Sequence, residues 1–220
     1  MKNKSFTVLL LTIITGILFN FLILGCETVS PPTPWVAEYA VGDTGPAGGL
    51  IFYVSEAGFT VDGLSGTFHY LEASREDMKD EGNQWGGRGT LCGVYTEIGK
   101  GYANTNTLQA CTVPHPFEED YHGQAKAAWN YSVTNDGTIY DDWWLPSKDE
   151  LLELSTTYAS LSDKSVWNVN TSLWSSSEHD ERTAWCILLS DENIDGTTYT
   201  RGAHNFSKGW EFRTIAVRAF

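Results

Sequence analysis

The stretch Pro146-Ser147-Lys148-Asp149-Glu150 constrains the fold of this chain more than any other. The Ser147 hydroxyl can accept the Glu150 amide N–H while the Glu150 carboxylate reaches back to the Ser147 amide, so two donors at a helix start are satisfied together. A proline just ahead of the cap marks the boundary. Leu151, Leu154, Tyr158 and Leu161 then recur at helical spacing on one face. The pattern predicts an amphipathic helix over 148–160 that packs its apolar stripe on a sheet. Strands are expected at 50–54, 68–72, 172–177 and 183–189, from their β-branched and aromatic content. Weaker strand signals lie at 197–199 and 210–213, and the apolar stretch 214–220 reads as a strong terminal strand. A second helix is expected over 122–131, which carries Ala125, Ala127, Ala128 and Trp129. Residues 76–101 are polar and glycine-rich and read as a long ordered loop. Gly42-Asp43-Thr44-Gly45-Pro46-Ala47-Gly48-Gly49 is a tight turn feeding a strand, since no Gly-Lys-Ser/Thr follows to make a phosphate loop. The fold class is therefore α+β: mainly antiparallel sheet, two or three helices and long ordered loops.

Composition narrows the partners. Lys and Arg number 14 against 28 Asp and Glu, and the net charge of −14 opposes binding to nucleic acid or to anionic lipid by charge. Hydrophobic residues make up 41%, so the chain is not a disordered acidic tail. Its length of 220 residues suits one core rather than two. The load of 9 Trp, 10 Tyr and 10 Phe suits a β-rich extracytoplasmic domain that buries or displays rings.

The N-terminus reads as an address. Lys2 and Lys4 precede an apolar run over 6–24, which ends in Ile23-Leu24-Gly25-Cys26. This sequence resembles the bacterial lipoprotein signal: the small Gly25 admits the signal peptidase, and the Cys26 thiol takes the lipid. The resemblance implies a signal peptide over 1–25, a lipidated tether over 26–39 stiffened by Pro31, Pro32 and Pro34, and a folded domain over 40–220. It places the domain in the bacterial cell envelope, held to the outer membrane or cell surface through Cys26. The alternative is an ordinary signal anchor with an incidental cysteine. Export permits disulfides. Cys92 and Cys111 flank the turn-rich stretch 93–110 and are expected to pair, which would stabilise by about 3 kcal/mol. Cys186 sits in Ala184-Trp185-Cys186-Ile187-Leu188-Leu189 and reads as a core thiol. Three cysteines alone leave other pairings open.

Several motifs occur together in order. They are Gly42-Asp43-Thr44-Gly45-Pro46-Ala47-Gly48-Gly49-Leu50-Ile51-Phe52-Tyr53, Tyr70-Leu71-Glu72-Ala73 and Trp85-Gly86-Gly87. Further along come Trp144-Leu145-Pro146-Ser147-Lys148-Asp149-Glu150-Leu151, Trp174-Ser175-Ser176-Ser177-Glu178 and Val217-Arg218-Ala219-Phe220. In this order they resemble the C-terminal domain of the Legionella collagen-like adhesin and its bacterial relatives, over residues 40–220. Trp-Leu-Pro-Ser-x-x-Glu followed by Trp-Ser-Ser-Ser is also similar to the C-type-lectin-like and formylglycine-generating-enzyme folds. The resemblance implies a single lectin-like domain whose first and last strands, at Leu50 and Ala216, lie together. It implies a ligand face built from long loops, and a function in binding sulfated glycosaminoglycans. The basic residues of this chain are scattered, with no Lys/Arg run to form the patch a polysulfate needs.

Chemistry-bearing residues are few. No Gly-x-Ser-x-Gly, His-Glu-x-x-His or Cys-x-x-Cys pattern occurs. Cys186 with His179 or His204 would be the nucleophile of an enzyme, but a strand setting favours a core thiol. Glu118-Glu119-Asp120 with His122, and Asp141-Asp142, are oxygen clusters that would suit calcium, though as solvated acidic loops they require no cofactor. The ligand candidates are Glu178, His179, Asp180 and Arg182 at the turn between two strands, with rings from Trp143 and Trp210. Sugar sites combine a flat ring with carboxylates and amides in this way; the simpler reading is a polar hairpin over core tryptophans. Arg218, in an apolar strand, is expected to pair with a buried acid such as Glu150. The expected function is non-catalytic binding of a glycan or matrix component. The alternatives are a structural envelope lipoprotein with protein partners only, or an enzyme of the formylglycine-generating type. No pattern encodes an oligomer.

Overall fold

A computed structural model describes residues 35–78, 84–111, 123–164 and 172–220. Cys26, the expected signal peptide and most of the tether lie outside these residues, as do Glu118, Glu119, Asp120 and His122. The elements all belong to the unit Val36–Phe220. They are β1 (Leu50–Phe59), β2 (Phe68–Met78), α1 (Gly101–Ala110), α2 (Gly123–Asn130), β3 (Val133–Asn135), β4 (Thr138–Tyr140), α3 (Lys148–Ser160), β5 (Ser172–Glu178), β6 (Thr183–Leu188), β7 (Glu192–Ile194), β8 (Thr197–Tyr199), β9 (Gly202–Ser207) and β10 (Thr214–Ala219). Two antiparallel sheets carry the domain, one ordered β1-β2-β10 and the other β5-β6-β9, and β3–β4 and β7–β8 form small hairpins. The class is α+β.

The helix foretold by its cap forms over the expected residues. The Ser147 side chain accepts from the Glu150 amide at 3.2 Å and the Glu150 carboxylate accepts from the Ser147 amide at 2.9 Å. Leu151, Leu154 and Tyr158 are buried, in one cluster with Leu50, Phe52, Leu71, Trp144, Ile187 and Val217. A second cluster gathers Trp85, Trp143, Trp174, Cys186, Phe206, Phe212 and Ala216. Period-two alternation lets single strands serve both. Ile215, Val217 and Ala219 of β10 join the first cluster while Ala216 joins the second; Ile187 of β6 faces the first while Ala184, Cys186 and Leu188 face the other. Each fully buried Leu or Ile contributes about 1.5–3 kcal/mol.

Cys92 and Cys111 form a disulfide, and Cys186 is free and buried. The stretch between the paired cysteines is not all turn, however. Gly101–Ala110 is α1, whose buried positions include Asn104 and Thr105. Polar side chains replace apolar ones as its packing. Asn104 Nδ2 donates to the Tyr95 carbonyl at 2.7 Å and to Ser176 Oγ at 3.0 Å. Thr105 Oγ1 accepts the Leu145 N–H at 3.0 Å. Other differences follow from weak patterning. Residues 210–213 make only isolated bridges, at Glu211 and Arg213, and the mixed stretch Gly202–Ser207 is a strand instead. The strands at Leu50 and Ala216 share a sheet but do not pair, because β2 lies between them.

Glu150 does not meet Arg218. Its carboxylate is fully buried and accepts N–H bonds from Gly99 (2.9 Å), Gly101 (3.4 Å), the Trp144 indole (3.2 Å) and Ser147 (2.9 Å). Burial pushes its pKa up, against these four bonds, which pull it down. Gly101 has to be glycine here, since a Cβ would collide with this carboxylate and with the Trp144 ring. Glu150→Gln places an amide NH₂ where one oxygen accepts two N–H groups. It is expected to lower the unfolding free energy by about 2–4 kcal/mol in urea denaturation, each orphaned donor costing about 1–3 kcal/mol.

Candidate functional site

The β5–β6 turn divides its residues between core and solvent. Glu178 ends β5 and is buried rather than projecting. Its Oε1 receives Lys208 Nζ at 2.6 Å and its Oε2 receives the Cys92 and Gly93 N–H groups at 2.8 and 3.0 Å. Lys208 Nζ also donates to the Thr90 carbonyl at 2.8 Å and lies 4.6 Å from the centre of the Trp85 ring. This pair pins the loop that carries Cys92, so Glu178 has a structural explanation in place of the ligand role expected of it. His179, Asp180 and Arg182 are exposed. Asp180 Oδ1 accepts the Arg182 and Thr183 N–H groups at 2.7 Å each, and these bonds, the Arg182 one foremost, hold its pKa down at about 2. The His179 ring stands edge-on to Trp185 with centroids 5.2 Å apart.

The expected rings are placed elsewhere. Trp143 is 1% exposed and its indole N–H donates to the Tyr140 carbonyl at 3.0 Å. Trp210 is half-buried against Phe206 and Phe212. The six residues do not converge on one site.

A different cavity, of about 180 Å³, does gather polar groups around aromatic rings. Its rim is the turn at Ala47, Gly48 and Gly49. One wall is the end of β2 with Ser74, Arg75 and Glu76. The opposite wall runs from Tyr131 through Val133 to Asn135, and Trp143 closes it. Tyr131 packs edge-on to Trp143, with centroids 5.2 Å apart. Burial raises the Tyr131 pKa above its ordinary value, and the negative charges of Glu76 and Glu72 add to the effect. Of the expected ligand residues, only Trp143 lines this cavity.

Arg218 and Glu72 set its shape. Arg218 Nε and Nη2 donate to the two oxygens of Asp142 at 2.8 and 2.9 Å, and Nη1 donates to Glu72 at 3.1 Å. Its guanidinium lies 4.8 Å from the Tyr140 ring centre, 5.2 Å from Phe220 and 5.9 Å from Trp143. Burial works against the Arg218 charge, yet the bonds and charges of Asp142 and Glu72 outweigh it and hold the pKa above its ordinary value. Glu72 in turn accepts the Ala47 and Gly49 N–H groups at 3.0 and 2.7 Å, which fixes the rim. The expected Arg218–Glu150 pair is thus replaced by Glu72 and Asp142. A Cβ on Gly49 would collide with the Ala73 carbonyl, so only glycine lets the rim approach β2 this closely.

The cavity residues Ser74, Glu76, Tyr131 and Asn135 were not singled out from sequence. A signal was present: period two carries Glu72, Ser74 and Glu76 along one face if the strand runs past residue 72. Cys186 is buried, and burial pushes its thiol pKa well above the ordinary value, the reverse of what a nucleophilic thiolate needs. No group of three or more His, Cys, Asp or Glu side chains is placed to hold a metal among the described residues. No family model matches the chain, and no curated protein matches it.

The turn geometry predicts a pH response. The Asp180 pKa is depressed in the folded state, so its support of the turn is present above the ordinary aspartate range and is lost as pH falls through about 2. In NMR, the Arg182 and Thr183 amide shifts are expected to titrate with that midpoint. In Asp180→Asn, whose Oδ1 keeps both bonds without titrating, they should stay flat.

Proposed function

We propose that this chain is a lipid-anchored protein of the bacterial cell envelope whose folded unit is a non-catalytic, C-type-lectin-like binding domain. In this reading it is related to the C-terminal domain of the collagen-like adhesins, and its ligand is a glycan or a matrix component. The observation that carries the reading is the cavity between the 47–49 turn, β2 and the 131–135 segment. It places the Tyr131 ring, packed on the buried Trp143, beside the side chains of Glu76 and Asn135 in a volume of about 180 Å³. Rings that cover an apolar sugar face, next to groups that bond hydroxyls, are the means by which small polar ligands are held. A sulfated ligand is disfavoured: Arg75 is the one cation among the lining residues, and the Glu76 carboxylate lines the same cavity.

Anchoring rests on Gly25-Cys26 at the end of the apolar run. Cys26→Ser is expected to abolish incorporation of labelled fatty acid and to leave the leader uncleaved on a gel, whereas an incidental cysteine would leave both unchanged.

The binding reading is tested with the full chain in detergent on an array of glycans and matrix proteins, with calcium and with chelator. A reproducible glycan signal that survives chelation is expected. A blank array at high protein density sinks the reading, and loss of signal on chelation would require a calcium site.

A further inference from the structure

We infer that the cavity between the 47–49 turn and β2 is a subsite for an uncharged polyhydroxyl ring, which under the glycan reading above is a neutral sugar. The inference rests on the polar atoms that the lining leaves unbonded, because these are of both kinds. Arg75 has five guanidinium N–H groups. Its Nε–H goes to the Gly48 carbonyl at 2.7 Å and one Nη2–H goes to Thr44 Oγ1 at 2.9 Å, which leaves three donors. Asn135 Nδ2 donates one N–H to the Pro46 carbonyl at 2.9 Å and keeps the other, and its Oδ1 keeps its acceptor sites. The Glu76 carboxylate and the Tyr131 hydroxyl hold no side-chain hydrogen bond among the described residues. A carboxylate accepts only, whereas a phenol both donates and accepts. The remaining polar side chains and the rim N–H groups are committed. Ser74 Oγ donates to the Glu76 carbonyl at 2.9 Å and accepts the Ala216 N–H at 3.2 Å. The Ala47 and Gly49 N–H groups go to Glu72, and the Gly48 N–H goes to the Gly45 carbonyl at 2.9 Å. The Trp143 N–H is held by the Tyr140 carbonyl.

The charges of the lining also cancel. Arg75 is its one cation and Glu76 its one carboxylate. Glu72, behind the rim, is paired with Arg218. A sugar hydroxyl is donor and acceptor at once. It can donate to Glu76 or to Asn135 Oδ1 and accept from Arg75 or from Asn135 Nδ2. It thus gains charge-assisted bonds on both sides, and the ligand has no ionic hydration to lose. An ammonium brings donors alone; it gains Glu76 but meets Arg75. A carboxylate or sulfate brings acceptors alone; it gains Arg75 but meets Glu76. Either ion leaves one set of unspent atoms without a partner and has its own charge to desolvate. The Tyr131 ring and Val133 supply apolar contact for the ring carbons. The volume of about 180 Å³ is below the about 300–1,000 Å³ of drug-sized sites, so it takes one ring rather than a chain of them.

The test is ligand-observed NMR titration of the full chain in a detergent without sugar head groups. The probes are glucose, glucosamine, glucuronate and myo-inositol at pH 6, where the amine is protonated and the uronate ionised. Glucose is expected to bind about tenfold tighter than either ion, the worth of about one charge-assisted bond. Glu76→Gln leaves Arg75 as the one charge of the lining and should place glucuronate above glucosamine by about tenfold. Arg75→Gln leaves Glu76 alone and should reverse that order. Glu56→Gln, at an exposed position outside the lining, should keep the wild-type order. The reciprocal reversal upholds the subsite. Inositol binding as tightly as glucose, beside a blank glycan array, upholds it and sinks the glycan reading. Equal binding of glucose, glucosamine and glucuronate, a wild-type preference for either ion, or an order unchanged in Glu76→Gln overturns the subsite and leaves the glycan reading standing. No binding of any probe overturns the subsite, and the array then decides the glycan reading alone.

Discussion

A carboxylate removed from water is tolerated only where donors meet its oxygens, and this domain depends on that exchange at three glutamates. Glu72, Glu150 and Glu178 are all buried. Each accepts backbone N–H groups from a loop or a helix start: Ala47 and Gly49 for Glu72, Gly99 and Gly101 for Glu150, Cys92 and Gly93 for Glu178. Those N–H groups have no sheet to join, and a buried N–H without a partner costs about as much as a lost hydrogen bond. Loop and acid therefore satisfy each other, and neither is stable in the interior alone. Two of the three carry a cation as well, Arg218 on Glu72 and Lys208 on Glu178. The third pairs with no cation among the described residues and relies on N–H groups, the Trp144 indole among them. Part of the acidic composition thus serves the interior rather than solvent.

This arrangement explains how long irregular segments stay ordered beside small sheets. The segment 84–100 is held at one end by Glu178 and Lys208, at the other by Glu150, and its Cys92 is joined to the end of α1 by the disulfide. Strands β6 and β10 are apolar on both faces, so each closes two clusters at once. Buried cation–carboxylate pairs add little net stability over apolar packing, but removing one partner costs about 3–5 kcal/mol. Their effect is to fix which loop conformation accompanies the fold.

Local signals were legible in the sequence where chemistry was confined to neighbours. The Ser147–Glu150 box marked α3 to the residue because both partners sit within one turn. The β3–β4 hairpin turns at Asp136-Gly137, and the positive φ of both residues is what it requires. The terminal strand and the Cys92–Cys111 pair were legible from apolar content and spacing. Long-range partners were not. Nothing near Arg218 in sequence distinguishes Glu72 from Glu150 as its partner, and the choice depends on β2 lying beside β10. Helix α1 was missed because Asn104 and Thr105 take the buried positions that an apolar pattern would have announced. Glu178 and Trp143 were read as ligand residues on their polarity and ring, yet burial assigns one to Lys208 and the other to a cavity wall. The cavity itself needed three distant segments in place and had no contiguous motif.

The cavity is coupled to the fold through one side chain. Arg218 holds Asp142, the neighbour of Trp143, and also Glu72, which holds both ends of the 47–49 rim. Wall and rim are thus tied to the same guanidinium, in a terminal strand whose backbone pairs with β2 and, by the Trp144–Val217 bridge, with the segment leading into α3. A ligand that pulled the rim outward would have to stretch a buried ion pair. One that fits the cavity as it stands has no such work to do. Ordering costs met during folding are not charged again on binding, so selectivity at this site follows from the polar atoms that the lining leaves unbonded.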